Sequence, residues 1–335
     1  MTDIYRGLYV DVIYDRGVYL PGIDLWMDST VKRESSVISH AHSDHVANHH
    51  VPILTEATLR LLEVTPRRWD PIILEFGEQF KGYEYTLSLH PAGHCLGSAQ
   101  TLVESHKTGE KILYSGDIKL TSSPISEPIE VVQSDTLILE ATYGRPEYKF
   151  PPEEKVVEFL FQTLDTFIKR GNVPVILSYK IGKSQEVIAY LMEKGFSVVA
   201  DETIYMLCQV HIKMGVKFAG SIRKYDGQVG EGEILVFPPS GSSKKKLANL
   251  RGVKFIRLSG WSIDPYIRRG VSAHVSLPLS DHPDFDGLLR YVDMVSAKRI
   301  FTVNGFPDLA EYLCGKGYEA VHLEGKINYK QLNLL

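Results

Sequence analysis

The chain has 335 residues, of which 44% are hydrophobic, and its 37 Lys and Arg against 41 Asp and Glu give a net charge of −4. This length allows at least one large hydrophobic core, and the near balance of charge argues neither for nor against binding of nucleic acid. No apolar run approaches the ~20 residues of a membrane span, which excludes transmembrane classes. Three dispersed cysteines (Cys95, Cys208 and Cys314) and a charged start without a signal-peptide pattern predict a cytoplasmic protein rather than a disulfide-rich secreted one.

The first 140 residues predict mostly short strands, since segments such as DLWMDS, YEYTLSLH and KILYSGD alternate in polarity or are rich in β-formers. TEATLRLLEV is the clearest helix there, with Thr55 as its N-cap. After FPPEE, a helix ending at Gly171, a buried strand (VPVILSY) and a helix ending at Gly195 follow one another. This succession is typical of a parallel sheet, and from about residue 271 strand and helix segments return.

Charge is unevenly distributed along the chain. Residues 146–270 carry 19 Lys and Arg against 13 Asp and Glu, whereas the remainder carries 18 against 28. A basic segment could bind an anionic polymer, and an acidic remainder could bind cations. The sequence therefore predicts an α/β protein in which one domain, residues 1–145 and 271–335, is split by an α/β insertion, residues 146–270.

Residues 39–46, SHAHSDHV, concentrate imidazoles and a carboxylate in one short stretch. In an extended segment His40 and His42 point the same way, and the next turn brings Asp44 and His45 to a second point nearby. Neutral imidazoles and carboxylates suit Zn²⁺ or Mn²⁺ in a site that keeps a coordination position for water. The pattern predicts a metal site rather than a polar loop that happens to be rich in histidine.

Later strand ends supply further candidates. His94 lies in the Gly-flanked turn PAGHCLGS, Asp117 follows the apolar strand ILYSG, and Glu140 ends TLILE. A carboxylate between two cations can bridge them, because each oxygen takes one metal. One strand-end acid would be ordinary, but these pieces in this order predict a single site.

The order H-x-H-x-D-H, G-H-x-x-G-S and S-G-D resembles the metallo-β-lactamase fold. LEATYG, LSGW (258–261) and PLSDHPDF (278–285), which contains His282, resemble its nucleic-acid branch, the β-CASP nucleases. SYKIGKSQEV (178–187) is similar to a segment of the Artemis-type DNA nucleases and of the bacterial and archaeal exonucleases encoded beside a DNA ligase. The resemblance implies a metallo-β-lactamase αββα sandwich with an inserted β-CASP cap. It also implies a metal-dependent phosphodiesterase, foremost a DNA exonuclease, in functional association with DNA ligase or other repair proteins.

This resemblance implies two divalent ions, zinc in the first site and zinc, manganese or magnesium in the second. The ligands of the first site would be His40, His42, His94 and Asp117. The second site would use Asp44, His45 and the same Asp117. In RNA-cleaving members a later histidine completes the second site; the matching position, 22 residues after His282, is Asn304. An amide oxygen is a weaker zinc ligand, so a looser second site is expected and DNA is favoured over RNA.

The expected mechanism is attack on phosphorus by a metal-bound water that becomes hydroxide near neutral pH. His282 would protonate the leaving oxygen or hydrogen-bond the phosphate, and Glu140 would orient it. The predicted catalytic residues are Asp44, Asp117, Glu140 and His282. The predicted substrate-binding residues are Lys180, Lys183, Arg268 and Arg269.

Three alternatives stay open at this point. One is an endo- or exoribonuclease of the same fold, and polarity and strand preference are open with it. Another is a small-molecule ester or thioester hydrolase, against which the basic insertion argues. The third is an inactive scaffold, which only Asn304 supports because the other candidate ligands are present.

Overall fold

The computed structural model of the protein describes residues 10–65, 69–269 and 272–323. In chain order its strands are β1 (Ile13–Tyr14), β2 (Val18–Leu20), β3 (Leu25–Met27), β4 (Ser35–Val37), β5 (Val51–Leu54), β6 (Ile72–Ile73), β7 (Gln79–Lys81), β8 (Tyr85–Pro91), β9 (Ala99–Ser105), β10 (Lys111–Tyr114), β11 (Thr136–Glu140), β12 (Val173–Leu177), β13 (Val198–Ala200), β14 (Arg223–Lys224), β15 (Ile234–Phe237), β16 (Val253–Leu258), β17 (Val275–Leu277), β18 (Arg299–Val303) and β19 (Glu319–His322).

The helices, in the same order, are α1 (Glu56–Leu62), α2 (Glu153–Lys169), α3 (Lys183–Glu193), α4 (Glu202–Lys213), α5 (Gly241–Lys246), α6 (Pro265–Arg269), α7 (Phe285–Val295) and α8 (Asp308–Gly315), with a 3₁₀ turn at Gly260–Ile263. Thr55 caps α1 as predicted, because its hydroxyl accepts the backbone N–H of Thr58 at 3.2 Å. Gly171 and Gly195 follow α2 and α3 in the left-handed conformation. No described helix is long and apolar enough to cross a bilayer.

The described residues divide into two compact units. The first unit runs up to Ser122 and also contains Ser126–Glu147 and everything described from His282 on; the second contains Ser123–Ile125 and Tyr148–Asp281. The insertion was expected to end at residue 270. The second unit continues to Asp281, because β17 pairs in parallel with β16 and belongs to the same sheet.

The first unit contains two sheets. Strands β1 to β6 form one sheet in sequence order, and the other has the order β19-β18-β11-β10-β9-β8-β7. Successive side chains of a strand point to opposite faces. Ile112 therefore packs with Leu20 and Val37 of the first sheet, whereas Leu113 packs with Leu288 of α7 and Leu309 of α8. The second sheet thus has the first sheet on one face and two helices on the other.

The second unit is an α/β layer structure, as its sequence predicted. Its sheet has the order β14-β13-β15-β12-β16-β17, and every pairing in it is parallel. Ile176 of β12 packs in one core with helices α2, α3 and α4, while Val175 packs in another core on the opposite face. Burial on both faces explains why VPVILSY reads as a continuous apolar run.

His211 of α4 makes stability in the second unit depend on pH. The ring is fully buried, its Nδ1 lies 2.8 Å from the carbonyl oxygen of Leu207, and burial lowers its pKa from 6.5 to about 4. Between pH 6.5 and pH 4 only the unfolded chain takes up a proton, so stability that is full above pH 6.5 is lost as the pH falls. We expect His211→Leu to remove about 2 kcal/mol of the loss between pH 7.5 and pH 5. Urea unfolding at both pH values measures this, with the exposed His106→Leu as the control.

Candidate metal and catalytic site

Several of the predicted site residues lie at the carboxyl ends of strands in the two sheets of the first unit. His40 and His42 follow β4, Asp117 follows β10, and Glu140 is the last residue of β11. Strands β3, β4 and β5 are parallel to one another, and so are β10, β11 and β18. Parallel strands place their carboxyl ends at one edge, where polar groups can converge without interrupting the sheet.

Four side chains form a group with one ligand atom each. In His40, His42, His94 and Asp117 these atoms all lie within 4.8 Å of one another. Oδ2 of Asp117 is 3.4 Å from Nε2 of His40 and 3.9 Å from Nε2 of His94, which is 3.2 Å from Nδ1 of His42. Ligands about 2.0–2.1 Å from a tetrahedral zinc ion would be about 3.3 Å apart. The spacing of the group therefore fits one small divalent cation.

His40 shows why the group suits a cation. The hydroxyl of Ser39 donates to Asp28 at 2.5 Å and lies 2.9 Å from Nδ1 of His40. Because the Ser39 hydroxyl donates its proton to Asp28 in a hydrogen bond, its oxygen accepts a hydrogen bond from Nδ1–H of His40. The proton of the His40 ring is then on Nδ1, and Nε2 keeps a free lone pair. Burial first, and the neighbouring histidines second, lower the pKa of His40 well below 6.5. Nε2 is buried and makes no hydrogen bond within the described part of the chain, so it is a neutral ligand atom without a proton partner.

Asp28, which no sequence motif singled out, holds Ser39, His45 and Tyr114 in place around the group. Its carboxylate accepts the backbone N–H of Ser39 at 2.7 Å and the hydroxyl of Tyr114 at 2.8 Å, and lies 2.9 Å from Nδ1 of His45. The contact to Nδ1 fixes the ring of His45 and leaves its Nε2 to face Asp117 at 3.4 Å. The available signal was an acid directly after an apolar strand, as at Asp117.

We expect Asp28→Asn to weaken zinc binding by about 10- to 100-fold, because the amide no longer polarises His45 or orders Ser39. Asp24→Asn is the matched control, since Asp24 has the same left-handed φ of 49° and its carboxylate contacts only Tyr19 among the described residues. Competition against a chromophoric chelator measures both affinities. Equal affinities in the two variants would show that Asp28 does not support the ligands.

The group contains buried carboxylates whose negative charge a bound cation would compensate. Burial raises the pKa of Asp117 to about 7, against the lowering effect of His45. Burial alone would lower the pKa of His45, but Asp117 and Asp28 outweigh it and raise that pKa well above 6.5. Asp117 and His45 thus retain a proton whose positive charge a bound divalent cation would replace.

Asp44, predicted for the second site together with His45 and Asp117, is placed less tightly. Its side chain is exposed, and it belongs to none of the described ligand groups. Partial desolvation by its neighbours opposes the charged form, but His45 and His42 outweigh this effect and lower the pKa of Asp44. Asp44 is therefore an anion beside the histidines, and its role as a ligand stays a prediction.

His282 lies next to the group and is held by Glu140. Its Nδ1 is 2.9 Å and 3.0 Å from the two carboxylate oxygens of Glu140, and its ring centroid is 4.7 Å from that of His94. Glu140 is buried and also accepts the backbone N–H of Ile118 at 2.9 Å and the hydroxyl of Thr142 at 2.5 Å. The carboxylate is fixed by several donors, so it sets the orientation of His282.

Comparison with known proteins adds relatives over nearly the whole chain, although no protein-family model matches it. The chain is 33% identical over 315 residues to a probable DNA ligase of Opitutus terrae, covering 92% of this chain and 31% of that protein. It is 26% identical to the DNA cross-link repair protein SNM1 of Arabidopsis thaliana, covering 80% of this chain and 60% of the relative. It is also 26% identical to RNase aCSPSF2 of Saccharolobus solfataricus, covering 49% of this chain and 39% of the relative.

These relatives, with the ordered motifs and the histidine–aspartate group, decide the family. The chain is a β-CASP member of the metallo-β-lactamase family. It spans between 31% and 60% of the length of these three relatives. A solved structure of a protein of unknown function from Enterococcus faecalis has a TM-score of 0.58 at 14% identity, covers 88% of this chain and 79% of that one, and shows likeness of fold alone.

The substrate-binding residues predicted for this β-CASP chain differ in how exposed their side chains are. Lys180, between β12 and α3, and Arg268 of α6 are exposed. Contact of Lys183 with substrate stays a prediction: its side chain is fully buried, with Nζ 2.9 Å from Oδ1 of Asp281. The reason is that Gly182, with φ of 78°, turns the chain so that Lys183 begins α3 on its inner side. The side chain of Arg269 lies outside the described residues.

Proposed function

We propose that the chain is a metal-dependent phosphodiesterase, and specifically a DNA exonuclease. The observation that carries the proposal is the four-ligand group His40, His42, His94 and Asp117 beside a histidine held by a buried carboxylate. We infer that the first unit is the αββα metallo-β-lactamase domain and the second the β-CASP insertion, and that the cations are zinc, with manganese or magnesium able to fill the second site.

Divalent cations in this group would supply a water nucleophile at neutral pH and neutralise charge that develops on the phosphoryl oxygens. The chain's own residues do the rest. Ser39 and Asp28 keep the proton of His40 on Nδ1, so that Nε2 remains a ligand. Glu140 engages Nδ1 of His282 and makes Nε2 the nitrogen placed to give a proton to the leaving oxygen.

DNA is favoured as the substrate by the names of two relatives, a probable DNA ligase and a DNA cross-link repair protein. The ligase relative contains a match to 92% of this chain within 31% of its own length, which supports a functional association with DNA ligation. RNA is the second candidate, because RNase aCSPSF2 is also a relative, though over 49% of the chain. The net positive charge of residues 146–270 suits either polymer and not a small neutral ester.

Digestion of matched DNA and RNA oligonucleotides, labelled at either end, tests this proposal with zinc, manganese and magnesium in turn. We expect successive shortening of DNA from one end and slower cleavage of RNA. Faster cleavage of RNA would favour the second candidate. Hydrolysis of thioesters or lactones without cleavage of either polymer would overturn the proposal.

A salt series tests whether the exposed cations of the second unit bind the DNA backbone. We expect the double variant Lys180→Gln with Arg268→Gln to bind DNA more weakly and to lower the log–log salt slope by about 0.7 to 0.9 for each phosphate that is no longer bound. Lys107→Gln, an exposed lysine on a hairpin turn of the first unit, is the control. Fluorescence anisotropy measures the affinities, and an unchanged slope would mean that the two side chains are ordinary solvated surface.

A further inference from the structure

Asn304 is held by a tyrosine from the opposite end of the chain. The hydroxyl of Tyr14, at the end of β1, donates to Oδ1 of Asn304 at 2.7 Å across 290 positions of sequence. Asn304 directly follows β18 and has a left-handed φ of 54°, a conformation that asparagine tolerates better than most residues. The side chain is exposed, so its amide is fixed on one side and accessible on the other.

This pair lies at the same sheet edge as the catalytic residues. Val303, which precedes Asn304, is the register partner of Glu140, and its carbonyl oxygen accepts the N–H of Ala141 at 2.8 Å. Burial first, and the charges of Asp28, Asp117 and Asp44 second, raise the pKa of Tyr14 to about 12. The hydroxyl therefore keeps its proton and is within electrostatic reach of the acidic group.

In the structure the hydroxyl of Tyr14 contacts the oxygen end of the Asn304 amide, so the N–H₂ end faces outward. Because Oδ1 accepts from Tyr14, Asn304 presents its Nδ2 group, which makes no hydrogen bond to any residue the structure describes. N–H donors cannot coordinate a cation, but they do bind anionic oxygens. The expectation that Asn304 is a weak metal ligand through its amide oxygen is thus not supported by this geometry.

We propose that Asn304 binds a non-bridging phosphate oxygen of the substrate through Nδ2 and does not ligate metal, with Tyr14 as the positioning residue that fixes the amide. The chemical class of ligand is a phosphodiester anion, so this assignment rests on the proposed nuclease function. It names a substrate-binding contact at the position where a histidine would complete a second metal site.

The test compares Asn304→Ala, Tyr14→Phe and the control Tyr83→Phe, whose tyrosine is 93% exposed in the same unit. Two quantities are measured: zinc affinity by chelator competition, and the affinity of the zinc-loaded protein for a phosphorothioate-protected DNA oligonucleotide by anisotropy. We expect zinc affinity to stay within about twofold in all variants. DNA affinity should fall about tenfold in Asn304→Ala and about threefold in Tyr14→Phe.

A tenfold loss of zinc affinity in Asn304→Ala would overturn the proposal by making the amide a ligand. Wild-type DNA affinity in both variants would overturn it by showing that the amide does not bind phosphate. Cleavage of unprotected DNA by the wild-type protein separates these outcomes from a failure of the nuclease function. If the wild type cleaves DNA and the variants bind it normally, only the assignment of Asn304 fails.

Discussion

Asp117→Ala is expected to lower kcat for phosphodiester cleavage by at least about 1,000-fold. Removing a single hydrogen-bond donor to a developing oxyanion lowers kcat by about 10²- to 10³-fold. The loss of Asp117 should have a larger effect, because its carboxylate faces His40, His45 and His94 at once. A variant lacking it loses the group that brings the imidazoles around one cation.

The fold should survive this change. The pKa of Asp117 is raised to about 7 in the folded protein, which is above its ordinary value of 3.8. For an acid with a raised folded pKa, stability present below pH 3.8 is lost as the pH rises through 7, so the ionised carboxylate opposes folding at neutral pH without metal. Removing it removes a charge whose burial is unfavourable, and Asp28 still pairs with His45.

Steady-state kinetics and circular dichroism check both parts of this prediction. Asp165→Ala is the control, because Asp165 is exposed on α2 of the second unit. It should keep wild-type kcat. Near wild-type cleavage by Asp117→Ala would remove the metal mechanism, whereas loss of the helical and strand signal would show that the site is needed for folding.

His282→Ala is expected to lower kcat by about 10²- to 10⁴-fold while zinc content stays unchanged. Proton donation and zinc binding are separable here because Nδ1 of His282 faces Glu140. The ring lies beside His94 but does not belong to the four-ligand group. A proton donor acts in the chemical step and does not hold the metal, so kcat should fall while the zinc content is kept.

Glu140→Gln separates positioning from proton donation. The amide keeps the shape of the carboxylate but weakens the hold on Nδ1 of His282, so we expect a kcat between those of the wild type and His282→Ala. The control is His106→Ala, because His106 is an exposed histidine whose Nε2 lies 2.9 Å from the hydroxyl of Thr86. Unchanged kcat in His282→Ala, or loss of zinc from it, would assign His282 a different role.

The parts of the site that the sequence predicted are those with short, ordered spacing. His40 and His42 are two residues apart, so an extended backbone suffices to bring them together. His94 and Asp117 each follow a strand and Glu140 ends one, and strands that run in the same direction end at one edge of a sheet. Register, however, depends on pairing between distant segments, and the sequence does not state it. Asp28 therefore looked like an ordinary strand-end acid until β3 was placed beside β4.

The missed details share one physical cause, which is side-chain direction in a turn. Lys180 and Lys183 are equally basic in sequence, but Gly182 turns one inward to Asp281 and leaves the other exposed. Asn304 offers an oxygen and an N–H₂ group, and the structure places the oxygen against Tyr14 and the N–H₂ group outward. The second unit continues past residue 270 for a different reason: β17 pairs with β16, and this strand is too short to carry a period-2 signal of its own in the sequence.

The most direct test of the metal-dependent nuclease is stepwise restoration of chelator-stripped protein with zinc, with bound metal and cleavage of end-labelled DNA measured at each step. We predict no cleavage by the stripped protein and a return of activity that follows metal bound to His40, His42, His94 and Asp117. A stripped protein that cleaves DNA as fast as the loaded one, or a fully loaded protein that cleaves neither DNA nor RNA, would contradict the proposal.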